Sequence, residues 1–136
     1  MKCKVHYVSP KGSAEMIAEV FARESKCVKE PLLPAYMPEG VHLMFLGCEN
    51  KADNVTLEFI DTLNKDRVKN CALFCCAKNS DAAISAMREA LSRRGINVLP
   101  TAFTAPVKGL FNKGPSESDL QRAKKFAQDS MAQVAQ

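Results

Sequence analysis

The sequence predicts an α/β fold: a three-layer sandwich built on a five-stranded parallel sheet of order 2-1-3-4-5, with helices on both faces. Three observations predict it. Apolar runs alternate along the chain with segments whose apolar residues recur at helical spacing. The runs are continuously apolar rather than alternating, as strands covered on both faces are. The 136 residues, 46% hydrophobic and 25% charged, suffice for a single domain, residues 1–136, with its own core. Right-handed crossovers prune the strand orders, and 2-1-3-4-5 is a common solution at this size.

Strand one is expected over Lys2–Val8 and helix one over Ser13–Ser25, with Met16, Ile17, Val20 and Phe21 on one face. Strand two, Cys27–Leu32, is short and carries Pro31, which removes a ladder donor and assigns it to an edge. The stretch from Leu32 to Val41 has no room for a crossover helix, and Pro34 and Pro38 suit an extended linker there. Strand three is Val41–Gly47. After the polar loop Cys48–Asp53, helix two turns Val55, Phe59, Ile60 and Leu63 to one side. Strand four is Asn70–Cys76. Ser80 reads as the N-cap of helix three, which faces Ala83, Ile84, Met87 and Leu91 inward and stops at Gly95. Strand five is expected over Ile96–Phe103. Ser116 to Asp119 opens the last helix, with Leu120, Ala123, Ala127, Met131 and Val134 on one face.

Between strand one and helix one lies Ser9-Pro10-Lys11-Gly12-Ser13-Ala14. A strand, a short loop of hydroxyls and glycine, then a helix start offers free amides and a favourable dipole to an anion. The alternative is an ordinary tight turn with a serine cap. The spacing is neither the dinucleotide fingerprint nor the Walker loop.

This loop resembles the first loop of the flavodoxin family, Ser/Thr-x-Thr-Gly-Asn-Thr. Ser9, Gly12 and Ser13 stand where that family has its first hydroxyl, its Gly and its Asn, while Lys11 and Ala14 replace threonines. Val41–Gly47 resembles the family's third strand, and KGPSESDLQRAKKFAQ its closing element and last helix. The resemblance implies a flavodoxin-like fold and an FMN cofactor. FMN's phosphate would sit on Ser9–Ala14 and its ring near Gly47, Cys48, Glu49 and Asn50 on one side and Cys76, Ala77, Lys78 and Asn79 on the other. It also implies a redox protein partner, and an electron carrier or accessory redox protein rather than a stand-alone enzyme.

The chain departs from the family in two respects. No aromatic residue occurs between Phe45 and Phe59, nor between Phe74 and Phe103, so neither ring-facing loop offers one; Phe111 is a late contributor. That removes the roughly 0.5–1.5 kcal/mol that an aromatic pair adds. Lys11, Lys51, Lys78, Lys108 and Lys113 all fall at the ligand edge, where they would focus positive potential on an anionic ligand or an acidic partner. A second function therefore stands beside FMN electron transfer: a flavodoxin-like binding or interaction protein that has lost FMN and keeps an anion site or a partner surface.

The six cysteines, most of them in strands, read as small core residues in a reducing compartment rather than a disulfide framework. Cys48, Cys75 and Cys76 at the ligand edge read either as buried small residues or as redox-sensitive thiols. No C-x-x-C pair occurs, and His6 and His42 lie in strands, so no metal site is expected. The net charge of +4 is modest and no basic helix alternates with aromatics, so no nucleic-acid partner is expected. Without a long apolar run or a secretory leader, a cytoplasmic location away from membranes is the expectation.

Overall fold

The computed structural model describes residues 1–33 and 35–135. The elements are β1 (Cys3–Tyr7), α1 (Ser13–Ser25), β2 (Lys29–Pro31), β3 (Val41–Glu49), α2 (Asn54–Asp61), β4 (Val68–Cys76), α3 (Asp81–Arg93), β5 (Asn97–Val98), β6 (Phe103–Ala105) and α4 (Glu117–Val134). All strand pairings are parallel, in the order β2-β1-β3-β4-β5, with β6 also pairing β4.

The expected strand order is present, and β2 is the short edge strand its proline called for. The fifth strand differs. The run Ile96–Phe103 divides at Leu99-Pro100 into β5 and β6, each lying on a different part of β4. Proline has no N–H to continue the ladder, and Leu99 N–H closes the first part on Cys71 O at 2.9 Å.

Strand residues alternate between two cores, as the period of two requires. Val5, Leu43, Phe45, Ala72 and Phe74 pack against Ile17, Phe21, Ala123 and Ala127 of α1 and α4. Met44, Leu46, Cys71, Leu73 and Cys75 pack against Phe59, Ile60, Met87 and Leu91 of α2 and α3. Phe21 centres the first core, its ring 4.9 Å from Phe45 and 5.0 Å from Phe74.

Two expected helix faces are corrected. Met16 is exposed on α1, where Ala14 and Ala18 join Ile17 and Phe21 in the core. Val55 is exposed on α2, where Thr56 takes the inward position of the first turn and joins Phe59 and Ile60 on the buried face. Among the described residues, the linker between β2 and β3 carries no helix; the expected role of Pro34 lies outside them. Tyr36 covers the sheet there, its ring 4.4 Å from His6 and 6.1 Å from Phe59. Among the described residues, no helix is long and apolar enough to cross a membrane.

Candidate functional site

The carboxyl ends of β1 and β3 meet where the strand order reverses, the place where open α/β sheets take ligands. The β1–α1 loop turns through Gly12 at φ 83°, a left-handed conformation that glycine adopts without strain. Its outward donors are aimed at one point, and that point holds a carboxylate of the chain itself. Ser9 Oγ donates to Glu49 Oε2 at 2.5 Å, Lys11 N–H to Glu49 Oε1 at 2.7 Å, and Ala14 N–H to Glu49 Oε2 at 2.9 Å. Glu49 is only 6% exposed. The sheet explains its reach: Gly47 is in register with Tyr7, so the residue two further along β3 projects its side chain past the end of β1.

The rest of the loop is engaged as well. Ser9 Oγ accepts from Glu15 N–H at 2.9 Å, and Gly12 N–H donates to Ser9 O at 3.2 Å. The Ser13 hydroxyl accepts from Lys108 N–H at 2.8 Å, which ties the segment after β6 to the start of α1. A Cβ on Gly114 would lie 3.1 Å from that same hydroxyl, so the two loops pack closely. Pro10 and Lys11 face solvent.

At the end of β3, Gly47 is required by the core: the ring of Phe74 occupies the space where a Cβ would stand. Cys48 and Cys75 are in register on neighbouring strands, with Sγ atoms 3.8 Å apart and both side chains buried. The hydrogen bond donated by Cys48 lowers the Cys75 thiol against the cost of burial, with help from Ser80 and the Asn50 backbone. The same hydrogen bond, then burial, pushes Cys48 up. Cys76 points to the opposite face, where burial raises it to about 12. Asn50 sits at φ 64° and donates its N–H to Cys76 O at 3.0 Å, fixing the turn that aims Glu49 inward.

In the loop after β4, Ala77 N–H donates to Ala105 O at 3.0 Å. Asn79 Oδ1 accepts from Asp81 N–H at 3.0 Å, whereas the Ser80 hydroxyl donates back to Cys75 O. Ser80 holds the cap position of α3 without capping it through its side chain. Among the described residues, no group of three or more His, Cys, Asp or Glu is placed to hold a metal ion.

Two cavities at this edge lie to one side of the β1–α1 loop. A cavity of about 540 Å³ is lined by Ala77 and Lys78 and by residues of the segment 106–112 that include Val107, Leu110 and Phe111. A second, of about 430 Å³, shares Ala77, Lys78 and Pro106 with it and continues to Asp81, Thr104 and Arg122. Neither touches residues 9–14. The structure thus brings Ser9, Lys11, Ala14 and Glu49 together and places Ala77, Lys78 and Asn79 in a separate recess. Gly47, Cys48 and Cys76 are packed beneath both. The joining of Glu49 to the first loop is not visible in the sequence, where it reads as one polar residue in Cys48-Glu49-Asn50. The available signal was an acid two residues beyond the strand-ending glycine, on the strand adjoining the loop.

No family model matches this sequence, and no curated protein matches it. Solved structures do. A flavodoxin from the domain Archaea aligns over 100% of both chains with a TM-score of 0.74 at 16% identity. Oxidised Flavodoxin 2 from Bacillus cereus aligns over 98% of this chain and 99% of its own, with a TM-score of 0.72 at 16% identity. The rubredoxin:oxygen oxidoreductase of Desulfovibrio gigas matches 98% of this chain with 36% of its own, at a TM-score of 0.74 and 15% identity. The fold is flavodoxin-like.

Proposed function

We propose that this chain is a flavodoxin-like binding module that acts without FMN, its phosphate-type loop closed on its own Glu49. The reading rests on one observation: the loop donors that a phosphate would need, Ser9 Oγ, Lys11 N–H and Ala14 N–H, all serve the Glu49 carboxylate. Hydrogen bonds to a charged group are worth about 1.5–3 kcal/mol each. An internal carboxylate gains them without the translational entropy that a free ligand loses. A phosphate placed about 4 Å from a retained carboxylate would meet roughly 4 kcal/mol of repulsion per unit charge at an effective dielectric of about 20. The residues present therefore do not fit FMN held by its phosphate, and the lack of an aromatic in either ring-facing loop removes the compensation a stacked ring would bring.

A second reading, an FMN electron carrier with a redox protein partner, draws on the cavity of about 540 Å³ beside Ala77, with Phe111 on its wall, and on the flavodoxins among the structural neighbours. One spectrum separates the two. Freshly purified protein should lack flavin bands near roughly 375 and 450 nm, and added FMN should give no saturable change, whereas Glu49→Ser should gain FMN or phosphate affinity. Flavin that copurifies, or tight FMN binding by the unaltered protein, selects the electron carrier instead.

A further inference from the structure

We infer that the recess formed by residues 77–78 and 106–112 is a docking surface for an acidic protein segment carrying one large apolar side chain. The inference deepens the binding-module reading and rests on it. Leu110 and Phe111 are 90% and 97% exposed, adjacent to each other on one loop, at the wall of the cavity of about 540 Å³. Two large apolar side chains standing in water beside a concave, partly apolar recess are the makings of an interface core. Their loop is not loose chain. Lys108 N–H is held by Ser13 at 2.8 Å, Gly109 N–H by Asn112 O at 2.8 Å, and Gly114 N–H by Asn112 Oδ1 at 2.8 Å. The pair is therefore presented on a braced turn, which lowers the ordering cost of binding.

Charge selects the occupant. Lys108 and Lys113 flank the apolar pair, Lys78 lines the recess, and Lys11 and Lys51 rise from the neighbouring loops, all exposed. Among the described residues, none of these ammonium groups makes an ion pair or a side-chain hydrogen bond. By contrast, Arg67 is paired to Glu39 at 2.7 Å, and Arg94 donates to Leu63 O at 2.8 Å, at the opposite end of the sheet. The acids at this edge are committed: Glu49 to the β1–α1 loop, Asp53 to the cap of α2 and Asp119 to the capping box of α4. Asp81, in the first turn of α3, is the acidic residue left at the recess, on its far side, and Glu117, in the first turn of α4, lies outside the lining of either cavity and accepts from Gln121. The unneutralised positive potential fits a carboxylate-rich segment, and the concavity fits a side chain inserted from a protein rather than a flat lipid surface.

The test uses the full chain and a short labelled peptide of glutamate and aspartate around a single phenylalanine, read by fluorescence anisotropy. The peptide should bind, more weakly in high salt. Leu110→Ser with Phe111→Ser should weaken it about tenfold or more, as loss of an apolar anchor does. Lys108→Glu with Lys113→Glu should weaken it comparably, while Lys65→Glu, at the opposite end of the sheet, should leave it unchanged. Replacing the peptide's phenylalanine by serine should mimic the Leu110 and Phe111 changes. No binding, binding indifferent to both double variants, tighter binding to phosphatidylserine vesicles than to the peptide, or self-association through Leu110 and Phe111 in light scattering would each overturn the inference. FMN absorbance on the same protein is a separate readout, so flavin binding would sink the preceding reading without touching the peptide result.

Discussion

At the scale of single residues, the surroundings of two buried side chains, His6 and Glu49, have direct consequences. His6 is 1% exposed, and its Nδ1 lies 3.2 Å from Glu30 O, so Nδ1 carries the proton and Nε2 is an acceptor. Nε2 has no partner among the described residues. Burial lowers the His6 pKa below its ordinary value, against the opposing pull of the Glu30 carbonyl and carboxylate. The unfolded chain therefore takes up a proton at about pH 6.5, where the folded one does not. The stabilisation is complete above about pH 6.5 and is lost as pH falls toward the lower folded value, by up to about 1.4 kcal/mol per pH unit. Urea unfolding followed across that interval should show this slope, and His6→Gln should flatten it; an unchanged slope in the variant would assign it to other groups. Glu49 shows what sequence reading misses at this scale. Its residue type and strand end are legible, but its partners lie 35 to 40 positions away, and only the register of β3 on β1 brings them together.

At the scale of elements, most of the fold was legible because the signals are local. The apolar period of α1, the proline at the β2 edge and the Ser116 to Asp119 capping box each act within a few residues. What failed was also local in cause. Val55 was placed inward by its apolar character, yet the buried row of α2 runs through Thr56, Phe59 and Ile60, so a polar residue holds the inward position of the first turn. The fifth strand is divided because Pro100 cannot continue a ladder that the apolar run alone would extend. Gly47 illustrates a residue whose packing partner lies on another strand. The aromatic it accommodates is Phe74, its own register partner on β4. Gly47→Ala should force that fully buried ring aside and cost about 1–3 kcal/mol, read as a lower denaturant midpoint. A midpoint equal to the parent's would show that the ring is free to yield.

At the scale of the whole molecule, the sheet and the two cores of a flavodoxin-like fold are present, and fold alone does not assign an activity. The function turns on whether the β1–α1 loop is available to a ligand. The amide protons of Lys11 and Ala14 report on this directly, because both donate to Glu49. In the nitrogen–proton correlation spectrum of the unaltered protein, those two resonances should stay fixed as FMN or inorganic phosphate is added, and in Glu49→Ser both should move and saturate. Saturable movement of the Lys11 and Ala14 resonances in the unaltered protein would contradict the account, since it would mean that an outside phosphate displaces Glu49.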